Sequence, residues 1–147
     1  MANLPCSGTL KVGPLIAEII KTDFTAESDC FCKIILGNHF YRTGICKGCG
    51  RKPKWDDKFE IFISEKDKSM LIELWEHSLE FSEEIIGKVN IYLSELHILN
   101  QSIENWFDIK IETNIFGRIQ IKIELEEGEK QKNQTEPQKE IQTAWNL

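Results

Sequence analysis

The chain has 147 residues, of which 41% are hydrophobic and 29% are charged, a size and composition that suit one globular domain with its own core. Its net charge of -6 argues against a general nucleic-acid binder, which needs a clustered basic surface. The charge is unevenly spread, because residues 1–58 carry nine Lys and Arg against six Asp and Glu, whereas residues 59–147 carry nine against eighteen. The first part of the chain is therefore the part able to meet an anionic surface.

The N-terminal residues show no targeting pattern. Residues 1–8 lack the charged and apolar regions of a secretory signal, and no apolar run reaches the ~20 residues that a transmembrane segment needs. We therefore expect reduced cysteines and a cytoplasmic location, either peripheral to a membrane or within a large intracellular assembly.

Alternation of apolar and polar side chains is the strongest local pattern, and it is clearest where Ile119, Ile121, Ile123 and Leu125 share one face of a strand. Seven further segments have strand character: residues 10–12, 30–36, 38–43, 59–63, 70–75, 89–93 and 107–111. Eight short strands separated by turns predict an all-β fold, an eight-stranded antiparallel Greek-key β-sandwich. Two connections have helical spacing, so we predict a short helix at 15–21 and one helical turn at 94–99.

The C-terminal segment differs in composition from the rest of the chain. Residues 126–140 contain no aliphatic or aromatic side chain, and such a segment cannot repay the entropy of its own ordering. We therefore predict an N-terminal extension at 1–7, the sandwich at 8–126 and a polar C-terminal tail at 127–147. Trp145 and Leu147 restore apolar character at the end of that tail.

A series of motifs follows the order found in one family. Gly-Thr-Leu-Lys-Val at 8–12 precedes Ser-Asp-Cys-Phe at 28–31, Lys-Pro-Lys-Trp-Asp-Asp-Lys-Phe at 52–59, Ile-Ile-Gly at 85–87 and the closing strand at 117–125. This order resembles the C2 domain, a sandwich that binds calcium and phospholipid through loops at one end. The resemblance covers residues 8–126 and implies the circularly permuted strand order called type II.

The resemblance also implies a calcium site, for which the family usually supplies about five Asp. Asp23 and Asp29 match the first-loop pair, but Glu76, Ser78 and Glu84 occupy the third-loop positions. One carboxylate is lost, and each Glu displaces its oxygens by about 1.5 Å, which is large for a metal shell. We expect calcium binding to be weak or lost and no cofactor to be required. Alternatively, the two Asp serve only as turn formers.

Two further features of the same scaffold suggest contact surfaces. Phe24, Leu79 and Phe81 would stand at the tips of the first and third loops, where apolar side chains suit shallow insertion into a membrane or a partner's groove. Alternatively, Phe81 folds back as a local plug.

The segment from residue 30 to residue 55 contains no acidic residue. In the family, a basic patch on these middle strands can bind phosphoinositide headgroups or acidic proteins, and the alternative is a solvated basic face. The candidate residues are Lys33, Arg42, Lys47, Arg51, Lys52 and Lys54.

The remaining candidates for chemistry are few. Cys46 and Cys49 have the spacing of half a zinc site, but the second Cys pair is missing, so the sequence alone favours neither zinc nor a redox pair and is better explained by small residues filling a Gly-rich turn. The three His are scattered and no nucleophile motif or P-loop is present, so we do not expect an enzyme. Trp55 and Trp75 are expected in the core.

Two functional hypotheses follow. The first is a non-enzymatic C2-like docking module for an acidic phospholipid surface or a protein partner, with calcium dependence weak or lost. The alternative is a structural subunit of a large assembly, which uses the sandwich and the C-terminal tail as contacts.

Overall fold

The computed structural model describes residues 7–20, 28–77, 83–95 and 101–127, and these residues form eight antiparallel strands and one short 3-10 helix. The strands are β1 (Ser7–Ile19), β2 (Asp29–Leu36), β3 (His39–Arg42), β4 (Phe59–Ser64), β5 (Ser69–His77), β6 (Glu83–Tyr92), β7 (Gln101–Ile111) and β8 (Asn114–Glu127). The 3-10 helix spans Leu93–Glu95. The all-β prediction is confirmed, and each predicted strand segment overlaps one of these strands.

The strands form two sheets that pack face to face. Sheet 1 has the order β3-β2-β5-β6, sheet 2 has the order β7-β8-β1-β4, and the two are joined where β6 meets β7 through a single residue pair, Lys88 and Lys110. The first strand lies between the fourth and the last. The antiparallel sandwich that the sequence predicts is therefore the observed architecture.

The core lies between the two sheets and is built from alternate residues of each strand. Ile119, Ile121, Ile123 and Leu125 of β8 are all buried, as their alternation predicts. Each such side chain contributes about 1.5–3 kcal/mol when it leaves water. This burial is possible on only one face of each sheet, so the outer faces carry the charged residues.

Gly87 allows the two sheets to meet. A Cβ atom at this position would lie 2.4 Å from Cγ2 of Ile109 on β7, far inside van der Waals contact. Gly87 lies beside Lys88, the residue of β6 that pairs with β7. The close approach of β6 and β7 therefore depends on the missing side chain.

The predicted helix at 15–21 is wrong over its described part, because β1 continues as a strand to Ile19. A register shift between Pro14 and Ile16 inserts one extra residue, and this bulge imitates helical spacing in the sequence. Long-range partners hold the strand: Ala17 N–H donates to the Pro53 carbonyl over 3.0 Å. Tertiary hydrogen bonding thus overrides the local pattern.

The other predicted segments are described only in part. The turn predicted at 94–99 begins as the 3-10 helix Leu93–Glu95, and residues 96–100 lie outside the described residues. Apart from Ser7 and Glu127, which begin β1 and end β8, the predicted extension and tail also lie outside them. The tail remains a prediction.

Candidate docking surface

The loop end of the sandwich is where the calcium residues were expected. Asp23 and Ser78 lie outside the described residues, as do the three predicted tips Phe24, Leu79 and Phe81. Asp29 begins β2, and its Oδ1 accepts a hydrogen bond from the Gly48 N–H at 2.6 Å. Glu76 Oε2 accepts one from the Ser28 hydroxyl at 2.7 Å.

The described carboxylates at this end do not converge. Asp29 pairs with His77 across β2 and β5, whereas Glu76 pairs with the next residue of β2 and, on its other side, with Glu84 of β6. Neighbouring positions of a strand point to opposite faces, so Asp29 and Glu76 diverge. Among the residues that the structure describes, no three His, Cys, Asp or Glu side chains are placed to hold a metal ion. Weak or lost calcium binding stays a prediction.

A cluster of cations and aromatic rings lies on the outer face of sheet 1. Phe31 of β2 and Trp75 of β5 are register partners, and their rings stack with centroids 6.4 Å apart and planes inclined by 15°. Lys33 Nζ lies 3.9 Å from the centroid of the Trp75 ring, and Arg42 Cζ lies 3.9 Å from that of Phe31. We call these four residues the cation–aromatic cluster.

Phe31 is completely buried although it points away from the core, and it lies beside the stacked Trp75 ring with the Arg42 guanidinium over its face. A cation over an aromatic face contributes about 0.5–1 kcal/mol where exposed and more where water is excluded. These contacts favour the observed positions of Arg42 and Lys33 over other side-chain conformations.

Two carboxylates lie next to the cation–aromatic cluster. Arg42 Nη2 donates to Glu83 Oε2 at 2.5 Å, and the Trp75 indole N–H donates to Glu73 Oε1 at 2.9 Å. His77 Nδ1 lies 3.8 Å from the same Glu83 oxygen. These contacts orient the cations, but the two carboxylates also neutralise part of their charge.

The prediction that Trp75 belongs to the core is wrong, whereas Trp55 is a core residue that is 8% exposed. Trp75 is half-buried on the outer face of sheet 1, the same side of β5 as Glu73 and the opposite side from Leu74. The alternation of β5 already indicated this position. The buried side of the strand is formed by Met70, Ile72 and Leu74, so Trp75 falls on the other side. Sequence reasoning missed the pairing of Trp75 with Phe31 because it depends on the register between two distant strands.

The six predicted basic residues separate into two groups. Lys33 and Arg42 are register partners on sheet 1. The other four are exposed on the connection between β3 and β4, residues 43–58, which runs along the second half of β1. These are Lys47, Arg51, Lys52 and Lys54. Arg51 also donates to the Ile19 carbonyl at 3.0 Å, so this group follows the edge of β1.

An apolar row lies beside the charged residues on the same outer face. Phe40 pairs with Ile35, and Ile35 pairs with Leu71, so that three strands contribute to one row. Phe40 is 57% exposed, and Tyr92 of β6, 51% exposed, lies near the far end of the row. A parallel row of charged residues lies two positions away along each strand. It consists of Arg42, Lys33, Glu73 and Lys88.

The outer face of sheet 2 is more acidic than that of sheet 1. Its carboxylates outnumber its cations: the acidic residues are Glu18, Glu60, Glu104, Asp108, Glu124 and Glu126, and the basic residues are Lys11, Lys110, Arg118 and Lys122. The strands of sheet 1 carry equal numbers of each sign on their outer face, namely Lys33, Arg42 and Lys88 against Asp29, Glu73 and Glu83. Lys11 Nζ lies 3.4 Å from a Glu126 carboxylate oxygen, and this contact raises the pKa of the Lys11 ammonium. Of the two faces, sheet 1 is better suited to an anionic surface.

The described ranges contain no helix with the length and apolar character required to cross a bilayer.

Comparison with known proteins agrees with this architecture. The family model described as C2 domain matches residues 8–109. A C2 domain-containing protein of Dictyostelium discoideum is 31% identical over 62 residues, which are 42% of this chain and 31% of that protein, so the chain matches less than a third of that relative's length.

Solved structures show the same fold at low sequence identity. The C2A domain of plant Extended Synaptotagmin 1 has a TM-score of 0.74 and 15% identity, covering 87% of this chain and 100% of the domain. Extended-Synaptotagmin 2, C2A and C2B domains, has a TM-score of 0.68 and 22% identity, covering 85% of this chain and 43% of the other. Human GIVD cytosolic phospholipase A2 has a TM-score of 0.70 and 17% identity, covering 86% of this chain but only 17% of the enzyme.

Proposed function

This chain belongs to the C2 domain family, and we propose that it is a non-catalytic docking module that binds an acidic phospholipid surface through the outer face of sheet 1, with little or no dependence on calcium. The observation that carries the proposal is the cation–aromatic cluster, in which Lys33 and Arg42 stand over the stacked rings of Phe31 and Trp75.

The aromatic contacts that restrain the two cations support this function. A basic residue near an anionic leaflet contributes about 1 kcal/mol to binding. Side chains that are already ordered lose less conformational entropy when they bind, so more of this energy is retained. Lys33 and Arg42 are adjacent across β2 and β3 and can meet neighbouring headgroups together.

The apolar row supports a lipid surface over a purely polar ligand. Phe40 and Tyr92 expose about half of their surface on the same face as the cations. Aromatic side chains beside basic residues are typical of surfaces that rest at the headgroup boundary of a bilayer. The four basic residues of the β3–β4 connection add positive charge at the adjoining edge.

The loop end supports weak calcium dependence. Asp29 and Glu76 accept hydrogen bonds from Gly48 and Ser28, and a metal ion would have to compete with these donors. Two longer Glu side chains and one Ser in the third loop further reduce the fit of a calcium shell.

The test is co-sedimentation of the full chain with vesicles of phosphatidylcholine alone or mixed with phosphatidylserine, in chelator and in calcium. We expect binding to the mixed vesicles in both conditions. The double substitution Lys33→Gln with Arg42→Gln should weaken it roughly thirtyfold, from about 1 kcal/mol for each charge.

A matched control exists on the other face. Arg118 lies 4.5 Å from the Trp106 ring and pairs with Glu18, so Arg118→Gln with Lys122→Gln makes the same charge change in a similar setting. We expect this control to lose much less binding. Equal losses would refute the assigned face, sedimentation only with calcium would refute calcium independence, and no sedimentation of the unaltered chain would refute the lipid surface.

A further inference from the structure

Cys46 and Cys49 lie at the two ends of a turn that is attached to the start of β2. Cys46 exchanges two backbone hydrogen bonds with Cys30, of 2.8 and 3.1 Å. Cys49 N–H donates to the Ser28 carbonyl at 3.1 Å. Both cysteine backbones are therefore held by the same segment, which consists of Ser28 and the first residues of β2.

The turn itself brings the two cysteines close together. Lys47 and Gly48 occupy its central positions, Gly48 has a φ of 58°, and its N–H donates to Asp29 Oδ1 at 2.6 Å. The first and fourth Cα atoms of such a turn lie within about 7 Å of each other. A disulfide joins Cα atoms roughly 4.4–6.8 Å apart, a range that a turn of this kind can reach.

The Cys49 thiol points back towards the start of β2, where it donates to the Ser28 carbonyl at 3.5 Å. Cys46 and Cys30 both lie near enough to this thiol to influence its pKa. Cys46 and Cys49 are half-buried and reachable from solvent, whereas Cys30 is completely buried. Among the four cysteines that the structure describes, the pair accessible to a small oxidant is therefore Cys46 and Cys49.

We propose that Cys46 and Cys49 form a reversible dithiol–disulfide pair that is oxidised by exchange with a small disulfide of the glutathione class. The Cys46 thiolate attacks one sulfur of the oxidant, whose S–S bond breaks and releases one glutathione thiolate. Cys49 then loses its proton to solvent and attacks the Cys46 sulfur, which releases the second glutathione thiolate. Two protein thiols are oxidised, and one small disulfide is reduced to two thiols.

The environments of the thiols decide the order of these steps. Burial, and then contact with Cys46, raises the pKa of Cys49 to about 11, which suits the second, resolving step within the mixed disulfide rather than the first attack. Burial raises the pKa of Cys30 further, so that this thiol stays protonated. Cys30 is thus an internal neighbour of the pair and not its partner.

The experiment equilibrates the full chain in glutathione buffers of graded oxidised-to-reduced ratio, quenches it in acid, blocks free thiols, and identifies the products by intact mass and peptide mapping. We expect the loss of two hydrogen atoms at oxidising ratios, a link between Cys46 and Cys49, and free thiols at Cys30 and Cys32. Returning the protein to reduced glutathione should restore all of the thiols.

Variants separate the two roles. Cys49→Ser should accumulate the glutathione adduct on Cys46, because the resolving thiol is gone, and Cys46→Ser should form neither the adduct nor the link. Cys32→Ala, at a buried position outside the pair, should behave as the unaltered chain. A chain that stays reduced in fully oxidised glutathione, keeps the mixed adduct, or links Cys49 to Cys30 or Cys6 would overturn the proposal. None of these outcomes depends on whether the protein binds lipid.

Discussion

Glu83 offers a sharp test of the charge on the proposed docking face. Its carboxylate accepts a hydrogen bond from Arg42 at 2.5 Å, and its side chain is 27% exposed. Glu83→Gln removes one negative charge from the cation–aromatic cluster and leaves the positive charge of Arg42 uncompensated. At about 1 kcal/mol for each charge near an anionic leaflet, affinity for phosphatidylserine vesicles should rise about fivefold.

The side chain that replaces Glu83 keeps its shape, so folding should change little. An ion pair of this exposure contributes about 0–1 kcal/mol to stability. The assay is vesicle partition in chelator at increasing salt, and the gain should shrink as the Debye length falls below about 8 Å.

Glu84→Gln is the matched control. It makes the same change in net charge at the next position of β6, whose side chain points to the opposite side of the strand and pairs with Glu76. We expect Glu84→Gln to raise affinity much less than Glu83→Gln. An equal gain would show that only net charge matters, and no gain from Glu83→Gln would refute the contact of this face with lipid.

Three further predictions concern stability. Gly87→Ala would bring a methyl group within 2.4 Å of Ile109 and should lower the free energy of unfolding in urea by about 1–3 kcal/mol. An unchanged urea midpoint would show that the close approach of β6 and β7 does not require glycine at this position. Thr43→Val should lower the free energy of unfolding by about 1–3 kcal/mol, because the buried Cys32 N–H loses its hydroxyl acceptor at 2.9 Å. Thr43→Ser keeps the hydroxyl and should retain most of the stability. Equal losses in the two variants would contradict this reasoning. The free energy of unfolding, measured by thermal unfolding, should also fall as the pH rises from 8 to 10. Burial raises the pKa of Cys30 and Cys32 in the folded protein, whereas the same thiols ionise near their ordinary pKa of about 8.5 in the unfolded chain. The slope should approach about 1.4 kcal/mol per pH unit for each thiol, and a flat profile would show that these thiols are not protected by the fold.

The strands were predictable because one face of each sheet is buried. In β8 four alternate apolar side chains from Ile119 to Leu125 are buried, and a shift by one residue would expose all four. The predicted helix at 15–21 failed at the bulge after Pro14, where an extra residue breaks the alternation. Such a bulge is stabilised by neighbouring segments, so it leaves no reliable local pattern.

The candidate site was only partly predictable. The basic residues were identified by composition, but their separation into the pair Lys33 and Arg42 and the group on the β3–β4 connection depends on how that connection crosses β1. The burial of Phe31 beneath Arg42 had no local signal, because the two residues belong to different strands and the covering cation comes from across the sheet.

The positions of the strands, their apolar faces and the family indicated by the motif order could all be inferred from the amino-acid sequence, because these properties depend on neighbouring residues within one segment. The position of two cations over the Phe31–Trp75 pair and the attachment of the Cys46–Cys49 turn to β2 became visible only in the folded chain. Both arrangements depend on the register between segments distant in sequence. That register is set by packing of the whole core, which no single segment encodes.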